Sequence, residues 1–344
     1  MRASSSHWLT LLLEVMLWVS WLHGSGHSEV TGLPKNYEHP SFGLTTPTFQ
    51  QEHNPACWIF THLQKSRGSS VKRVLRKRCP HCRSMIYDNR WWYHSTQAPL
   101  NFNNTMERHN VIMGGYTEAL RLQDPTFNIC SWFTLFRHPI SRMVSAFFYC
   151  KKKPSDVCCG TRNMPPEAQS DIIAFAKHWG NFAVRQFVMG LIPTENVLSY
   201  LQNTMSEMDT RKASGWYLLK LYLEGQSSSN VSAQHVEEEK LYPMLKHAQD
   251  SLSDRFVAVG ILEEFNTSMY LFNAALRLPG INWPQEMVKT GIKNAEDEYQ
   301  HEESQLLAKA WTNTELKSYM RLDLLLYEHA MGVFKSQAEY YDLV

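Results

Sequence analysis

Apolar and polar positions alternate along the chain with two recurring periods, and their hand-over marks each element. Cys57 to Leu63 is a short run rich in β-formers, CWIFTHL, and reads as a buried strand. Gln64 to Ser70 is polar and turns at Gly68. From Ser69 onward Val71, Val74 and Leu75 recur at helical spacing between basic residues, which predicts a helix. Met85–Tyr93 and Asn110–Met113 read as short extended pieces, and Tyr116–Leu122 as a helix. Asn128–Leu135 is a second β-rich apolar run. Pro139 sits where the first turn of the next helix belongs, with Ile140, Val144, Phe147 and Phe148 on its buried face. Val236–Leu252 predicts a helix leading into the strand Phe256–Leu262. Trp311–Lys335 predicts one closing amphipathic helix, with Leu316, Met320, Leu324, Tyr327 and Met331 as its core stripe. Strands that alternate with helices predict an α/β fold, a mostly parallel sheet flanked by helices.

The ends of the chain pattern differently. Residues 1–7 form a short tail, and Trp8–Leu22 is apolar apart from Thr10, Glu14 and Ser20. Fifteen residues fall short of the ~20 that span a bilayer, and Glu14 would be costly in lipid. A signal peptide cleaved near Gly24–Gly26 and a short type II anchor both fit, and both place the remainder in the secretory lumen. Residues 23–54 carry Gly, Pro, Ser, Thr and His with little apolar periodicity and read as a stem. The folded domain is expected over 55–344.

Composition narrows the chemistry. The formal charge of +1 excludes the global polybasic character of many nucleic-acid binders. Basic residues cluster instead at Lys72–Arg78 and Lys151–Lys153, where they can focus a field on an anionic ligand. Seven cysteines and the three sequons at Asn103, Asn230 and Asn266 fit an oxidising compartment. Cys79-Pro-His-Cys82 has the spacing of a zinc or redox pair, but no second such pair accompanies it. Disulfides among Cys79, Cys82, Cys130, Cys150, Cys158 and Cys159 are expected, with pairing unread and Cys57 the candidate for a buried free thiol.

A strand that feeds a helix through a polar turn aims free backbone amides and the positive end of the helix dipole at one spot. Lys65 adds a charge, and Ser66, Ser69 and Ser70 add hydroxyls, so Lys65–Ser70 reads as a phosphate or sulfate cradle. It is not a Walker A loop, because Lys65 precedes the glycine. A P-loop kinase is further disfavoured by the lack of an obvious carboxylate motif for Mg²⁺.

The order of residues resembles the Pro-Lys-Thr-Gly-Gly-Thr-Ser turn of the Golgi carbohydrate sulfotransferases. Lys65, Ser66, Gly68 and Ser69-Ser70 fall on the Lys, Thr, second Gly and Thr-Ser, while Gln64 and Arg67 replace the Pro and the first Gly. Phe136-Arg137-His138-Pro139 through Tyr149 is similar to that family's strand-Arg-Asp-Pro-x-x-Arg-x-x-Ser motif. The resemblance implies a P-loop-like sulfotransferase fold and binding of 3′-phosphoadenosine 5′-phosphosulfate (PAPS). In it Lys65 to Ser70, including Arg67, hold the 5′-phosphosulfate, and Arg137 and Ser145 grip the 3′-phosphate. Asn181–Gly190 is similar to the family's Asn-x-x-x-Arg-x-x-x-Gly segment, which makes Arg185 a candidate contact for nucleotide or acceptor. Phe256–Glu264 is similar to its Val-Gly-x-x-Glu turn.

The implied reaction is in-line sulfuryl transfer to a carbohydrate hydroxyl, with Lys65 stabilising charge on the bridging oxygen and no metal required. Relatives place a histidine base between the two motifs. Val111–Glu118 holds none, which leaves His94, His109 and Glu118 as candidates, or a silent relative that binds nucleotide or glycan. The basic clusters lean toward an acidic, glycosaminoglycan-like polysaccharide as acceptor. The implied location is the Golgi membrane with a luminal domain, or else secretion. Acceptor position and oligomeric state are not read from the sequence.

Overall fold

In a computed structural model of the chain, the structure describes residues 57–78, 84–87, 110–117, 120, 125–159, 164–188, 215–225, 233–278, 280–290 and 300–344. The chain divides into Met1–Thr45 and Thr46–Val344, and all described residues belong to the second unit. The tail, the apolar segment 8–22 and the whole stem lie outside the described residues. Among the described residues no helix is long and apolar enough to cross a membrane.

The described strands are β1 (Trp58–Thr61), β2 (Ser84–Tyr87), β3 (Val111–Gly114), β4 (Ser131–Phe136) and β5 (Phe256–Ile261). They form one sheet in the order β2-β3-β1-β4-β5, with every neighbouring pair parallel. Trp58 pairs with Val111 on one side and Ser131 on the other. β1, β3 and β4 are buried at every position, as expected where helices cover both faces of a parallel sheet. The threonines in these strands are satisfied within the sheet. Thr61 and Thr134 sit side by side in register, Thr134 Oγ1 donates to the Thr61 carbonyl at 2.8 Å, and Thr61 Oγ1 meets Thr117 Oγ1 at 2.7 Å. The strand expected over Asn128–Leu135 starts later, because Pro125–Ile129 coils into a 3₁₀ turn.

Helix α1 (Gly68–Arg78) follows β1, and α2 (Pro139–Lys152) follows β4 with the expected face inward. Short helices α3 (Pro166–Ser170), α4 (Ile172–Trp179) and α5 (Phe182–Val188) come next, then α6 (Gly215–Gly225) and the long α7 (Ala233–Arg255). The described elements after β5 are all helices: α8 (Phe265–Leu276), α9 (Trp283–Thr290), α10 (Gln300–Thr312), α11 (Thr314–Tyr319) and α12 (Arg321–Tyr340).

Two expectations are corrected here. Cys57 is not a free thiol: it pairs with Cys130, across 73 residues, and joins the starts of β1 and β4. Each half-cystine directly precedes or adjoins one of two neighbouring strands, so pairing the strands brings the sulfurs together. Cys150 pairs with Cys159, and the free cysteine among the described residues is Cys158. Cys79 and Cys82 lie outside the described residues.

The second correction concerns the last helix, which is three helices. Asn313 accepts a hydrogen bond from Leu316 N at 2.8 Å and starts α11, and the chain breaks again at Met320. The break resets the helical phase. Leu322, Leu326, Ala330 and Phe334 face inward, whereas Leu324, Tyr327 and Met331 are only partly buried.

α12 also closes the β5 side of the sheet. Gln337, almost wholly buried, accepts from Val259 N at 2.8 Å and donates to the Phe256 carbonyl at 2.7 Å. A glutamine amide thus replaces a neighbouring strand along that edge.

Candidate functional site

Lys65 lies just past the end of β1, and Arg137 just past the end of β4. These strands are adjacent and parallel, so their carboxyl ends open on the same side. The chain leaves β1 toward β3 and β2, and later returns to β1's other side as β4. This reversal of strand order makes a crevice, where open α/β sheets bind ligands. Arg137 Nη1 donates to the Lys65 carbonyl at 3.4 Å, so residues 72 apart in sequence meet.

The β1–α1 turn is built from uncommon backbone. Lys65 and Arg67 have φ of 65° and 56°, the left-handed region that favours glycine. Arg67 stands where the resembled motif has its first glycine, and its guanidinium rests 5.2 Å from the Phe265 ring. Gly68 is required for a different reason. A Cβ there would lie 1.7 Å from His62 Cδ2, so the histidine ring takes the space of a side chain. Burial of that ring, helped by Lys72, lowers the His62 pKa to about 3. Ser70 N donates to the Arg67 carbonyl at 2.9 Å, which leaves the amides of Gly68 and Ser69 as those of the open first turn of α1. Ser69 is exposed and Ser70 half-buried at the mouth, whereas Ser66 is fully buried with its hydroxyl unpartnered.

Both cations are partly withdrawn from water. Burial pulls Lys65 below the ordinary lysine range and Arg137 adds to this, while Cys158, Glu303 and Asp156 act against it. Burial likewise lowers Arg137, with Glu303 and Glu263 opposing. Glu303, on α10, thus acts on both cations. The Lys65 ammonium lies 4.1 Å from the centre of the Tyr149 ring. Tyr149 OH donates to Asp156 Oδ2 at 2.5 Å, and Asp156 Oδ1 accepts from Cys158 N at 2.9 Å.

The residue after Arg137 anchors the other wall. His138 caps α2, with Nδ1 accepting from Ile140 N at 3.3 Å, and its own amide donates to Glu263 Oε1 at 2.9 Å. Its ring lies tilted against Trp311 with centres 4.1 Å apart and meets Tyr327 at 5.1 Å, and Tyr327 OH donates to Glu263 Oε2 at 3.1 Å. Burial, with Lys317 nearby, takes the His138 pKa down to about 4, so the ring is neutral at pH 7.

The structure therefore brings Lys65–Ser70 and Arg137 together. Ser145 is half-buried on α2, two turns from Arg137. Arg185 is fully buried, with its guanidinium 5.0 Å from the Trp216 ring centre. His94, His109 and Glu118 lie outside the described residues, as do Asn103 and Asn230. Asn266 is exposed at the start of α8. Sequence reasoning passed over Tyr149, Asp156, Glu263, Glu303 and Trp311. Tyr149, Glu263 and Trp311 fall within recognised stretches, whereas Asp156 and Glu303 fall in none.

No protein-family model matches the chain, and no curated protein matches it.

Proposed function

We propose that the protein transfers a sulfuryl group from PAPS to a carbohydrate hydroxyl, in the secretory lumen. The observation that carries this reading is the meeting of the Lys65 turn and Arg137 at the carboxyl ends of β1 and β4. Two cationic groups and a helix N-terminus converge there, which suits a ligand with two separate phosphate-like groups. Lys65 would stabilise charge on the oxygen that leaves sulfur, and the turn amides with Ser69 and Ser70 would hold the 5′-phosphate. Arg137, with Ser145, would hold the 3′-phosphate. The acceptor of this reading is an acidic, glycosaminoglycan-like polysaccharide, drawn by Lys151–Lys153 beyond Tyr149. The two disulfides are compatible with a luminal or secreted domain.

Calorimetry with the desulfated product PAP tests the reading. Wild type is expected to bind, and Arg137→Ala to bind roughly 10- to 100-fold more weakly, the loss of a charge-assisted contact. Lys65→Ala is expected to abolish transfer. A folded wild type that does not bind PAP but does bind heparin would instead mark a silent glycan-binding relative.

A further inference from the structure

Cys150 in the last turn of α2 meets Cys158 and Cys159 of the 3₁₀ turn that follows it, and Cys158 is close enough to act electrostatically on Lys65. Cys150 and Cys159 form a disulfide, Cys158 Sγ lies 3.8 Å from Cys159 Sγ, and all three sulfurs lie within 4.8 Å of one another. The bridge closes a tight turn in which Asp156 N donates to the Lys153 carbonyl at 3.0 Å and Cys159 N to the Asp156 carbonyl at 2.9 Å. Helix α4 anchors the far side, with His178 Nε2 3.0 Å from the Cys159 carbonyl and Trp179 Nε1 donating to that of Cys158 at 3.2 Å. The turn presents Asp156 to the Tyr149 hydroxyl, and the Tyr149 ring carries the Lys65 ammonium. A continuous set of contacts thus runs from the bridge to the lysine.

We propose that Asp156 and Tyr149 position Lys65, and that this positioning depends on which cysteine Cys150 is paired with, Cys158 being the thiol that can take over the bridge. In the exchange the Cys158 thiolate attacks Cys150 Sγ. A Cys150–Cys158 bond forms, the Cys150–Cys159 bond breaks, and Cys159 leaves as a thiolate that takes up the proton Cys158 gave up. The number of disulfides is unchanged, so no oxidant or reductant is consumed. Moving the bridge by one residue draws the Cys158 amide from Asp156 Oδ1, and Asp156 then loses its hold on Tyr149. Burial, with Asp156 adjacent, pushes the Cys158 thiol up, so at neutral pH it stays protonated and the Cys150–Cys159 form persists. Alkaline pH or opening of the turn releases the exchange. The inference rests on the nucleotide reading only for its consequence, not for the geometry.

The test reads bridge and lysine separately, in the full-length protein. Peptide mapping after timed incubation at pH 7, 9 and 10.5 and acid quenching is expected to find the rate at which Cys150–Cys158 appears rising about 10-fold per pH unit, as the thiolate fraction of a raised thiol does. The pH profile of Lys65 acetylation by limiting acetic anhydride reports its environment without any nucleotide. The groups acting on it are Cys158, Arg137, Glu303 and Asp156. Cys158→Ser, which keeps the original bridge, is expected to leave the inflection at or slightly below the wild-type value, since Cys158 is one of the groups that raise it. Cys159→Ser and Tyr149→Phe are expected to raise it toward the ordinary lysine value of about 10.4, because relief of burial outweighs loss of Asp156. Both are expected to weaken PAP binding several-fold. Tyr149→Phe keeps the bridge, so it serves if Cys159→Ser does not fold. Wild-type Lys65 profiles in folded Cys159→Ser or Tyr149→Phe, or no appearance of Cys150–Cys158 at pH 10.5, would overturn the proposal. Shifted Lys65 profiles with no PAP binding even by wild type would sustain it while removing the nucleotide reading.

Discussion

Gly68 and His62 share one volume at the heart of the β1–α1 turn. Gly68→Ala would drive a methyl into the histidine ring, so the ring or the turn has to shift. The expected result is a loss of about 1–3 kcal/mol by denaturant unfolding. His62→Ala/Gly68→Ala is expected to be less destabilised than the sum of its parts, since each change makes room for or removes the other's partner. Arg67 offers a second test. Its φ of 56° is open to glycine and poor for a β-branched residue. Arg67→Val is expected to be about 1–2 kcal/mol less stable than Arg67→Gly in parallel urea titrations.

At the scale of elements, α2, α5 and α12 are locked by one buried carboxylate. Asp323 pairs with the Arg142 guanidinium and also accepts from Ala183 N at 3.2 Å and Val184 N at 3.0 Å. Asn181 answers in the other direction, accepting from Leu322 N at 3.0 Å. Each helix start is capped by a side chain at or before the other's first turn, and Arg142 fixes α2 to both. Asp323→Ala would leave a buried guanidinium without its counter-charge and two helix amides unsatisfied. A loss of about 3–5 kcal/mol is expected, read as a lowered denaturant midpoint. α10 carries a different kind of interaction. Glu303 supplies negative charge to both Lys65 and Arg137 and therefore competes with any anion there. Glu303→Gln is expected to tighten PAP binding by about 2- to 5-fold, the range of a half-exposed charge pair, and to flatten its salt dependence.

For the whole molecule the neutral histidines set the acid limit. Burial brings His62 to about 3 and His138 and His178 to about 4 in the folded protein, from an ordinary 6.5. Each is lowered on folding, so the unfolded chain binds more protons. The stability they contribute is complete above pH 6.5 and is lost as pH falls toward 4 and below. With all three taking part, stability is expected to fall by up to ~4 kcal/mol per pH unit in that window, because each proton contributes ~1.4 kcal/mol per unit. His178→Asn is expected to reduce the slope by about one third, measured by urea unfolding at pH 4.5, 5.5 and 6.5.

Local information by itself determined the β1 turn and α1, the strand β4 with Pro139 starting α2, and the run into β5. In each, apolar period and turn chemistry are contained within about twenty residues and agree with one another. It also determined the pairing of a lysine turn with a strand-end arginine, as residue types in order. Only the tertiary structure decided which cysteines meet, since strand adjacency brings Cys57 to Cys130 and no spacing encodes adjacency. It alone sent Arg185 into the core against Trp216, and placed Glu303 and Trp311, from the far end of the chain, over Lys65, Arg137 and His138. It also split the closing helix, because Asn313 capping and the break at Met320 outweigh a stripe that a single helix would have continued. Period and propensity act over one or two turns of chain, whereas charge, burial and covalent pairing depend on distances that exist only once the sheet has assembled.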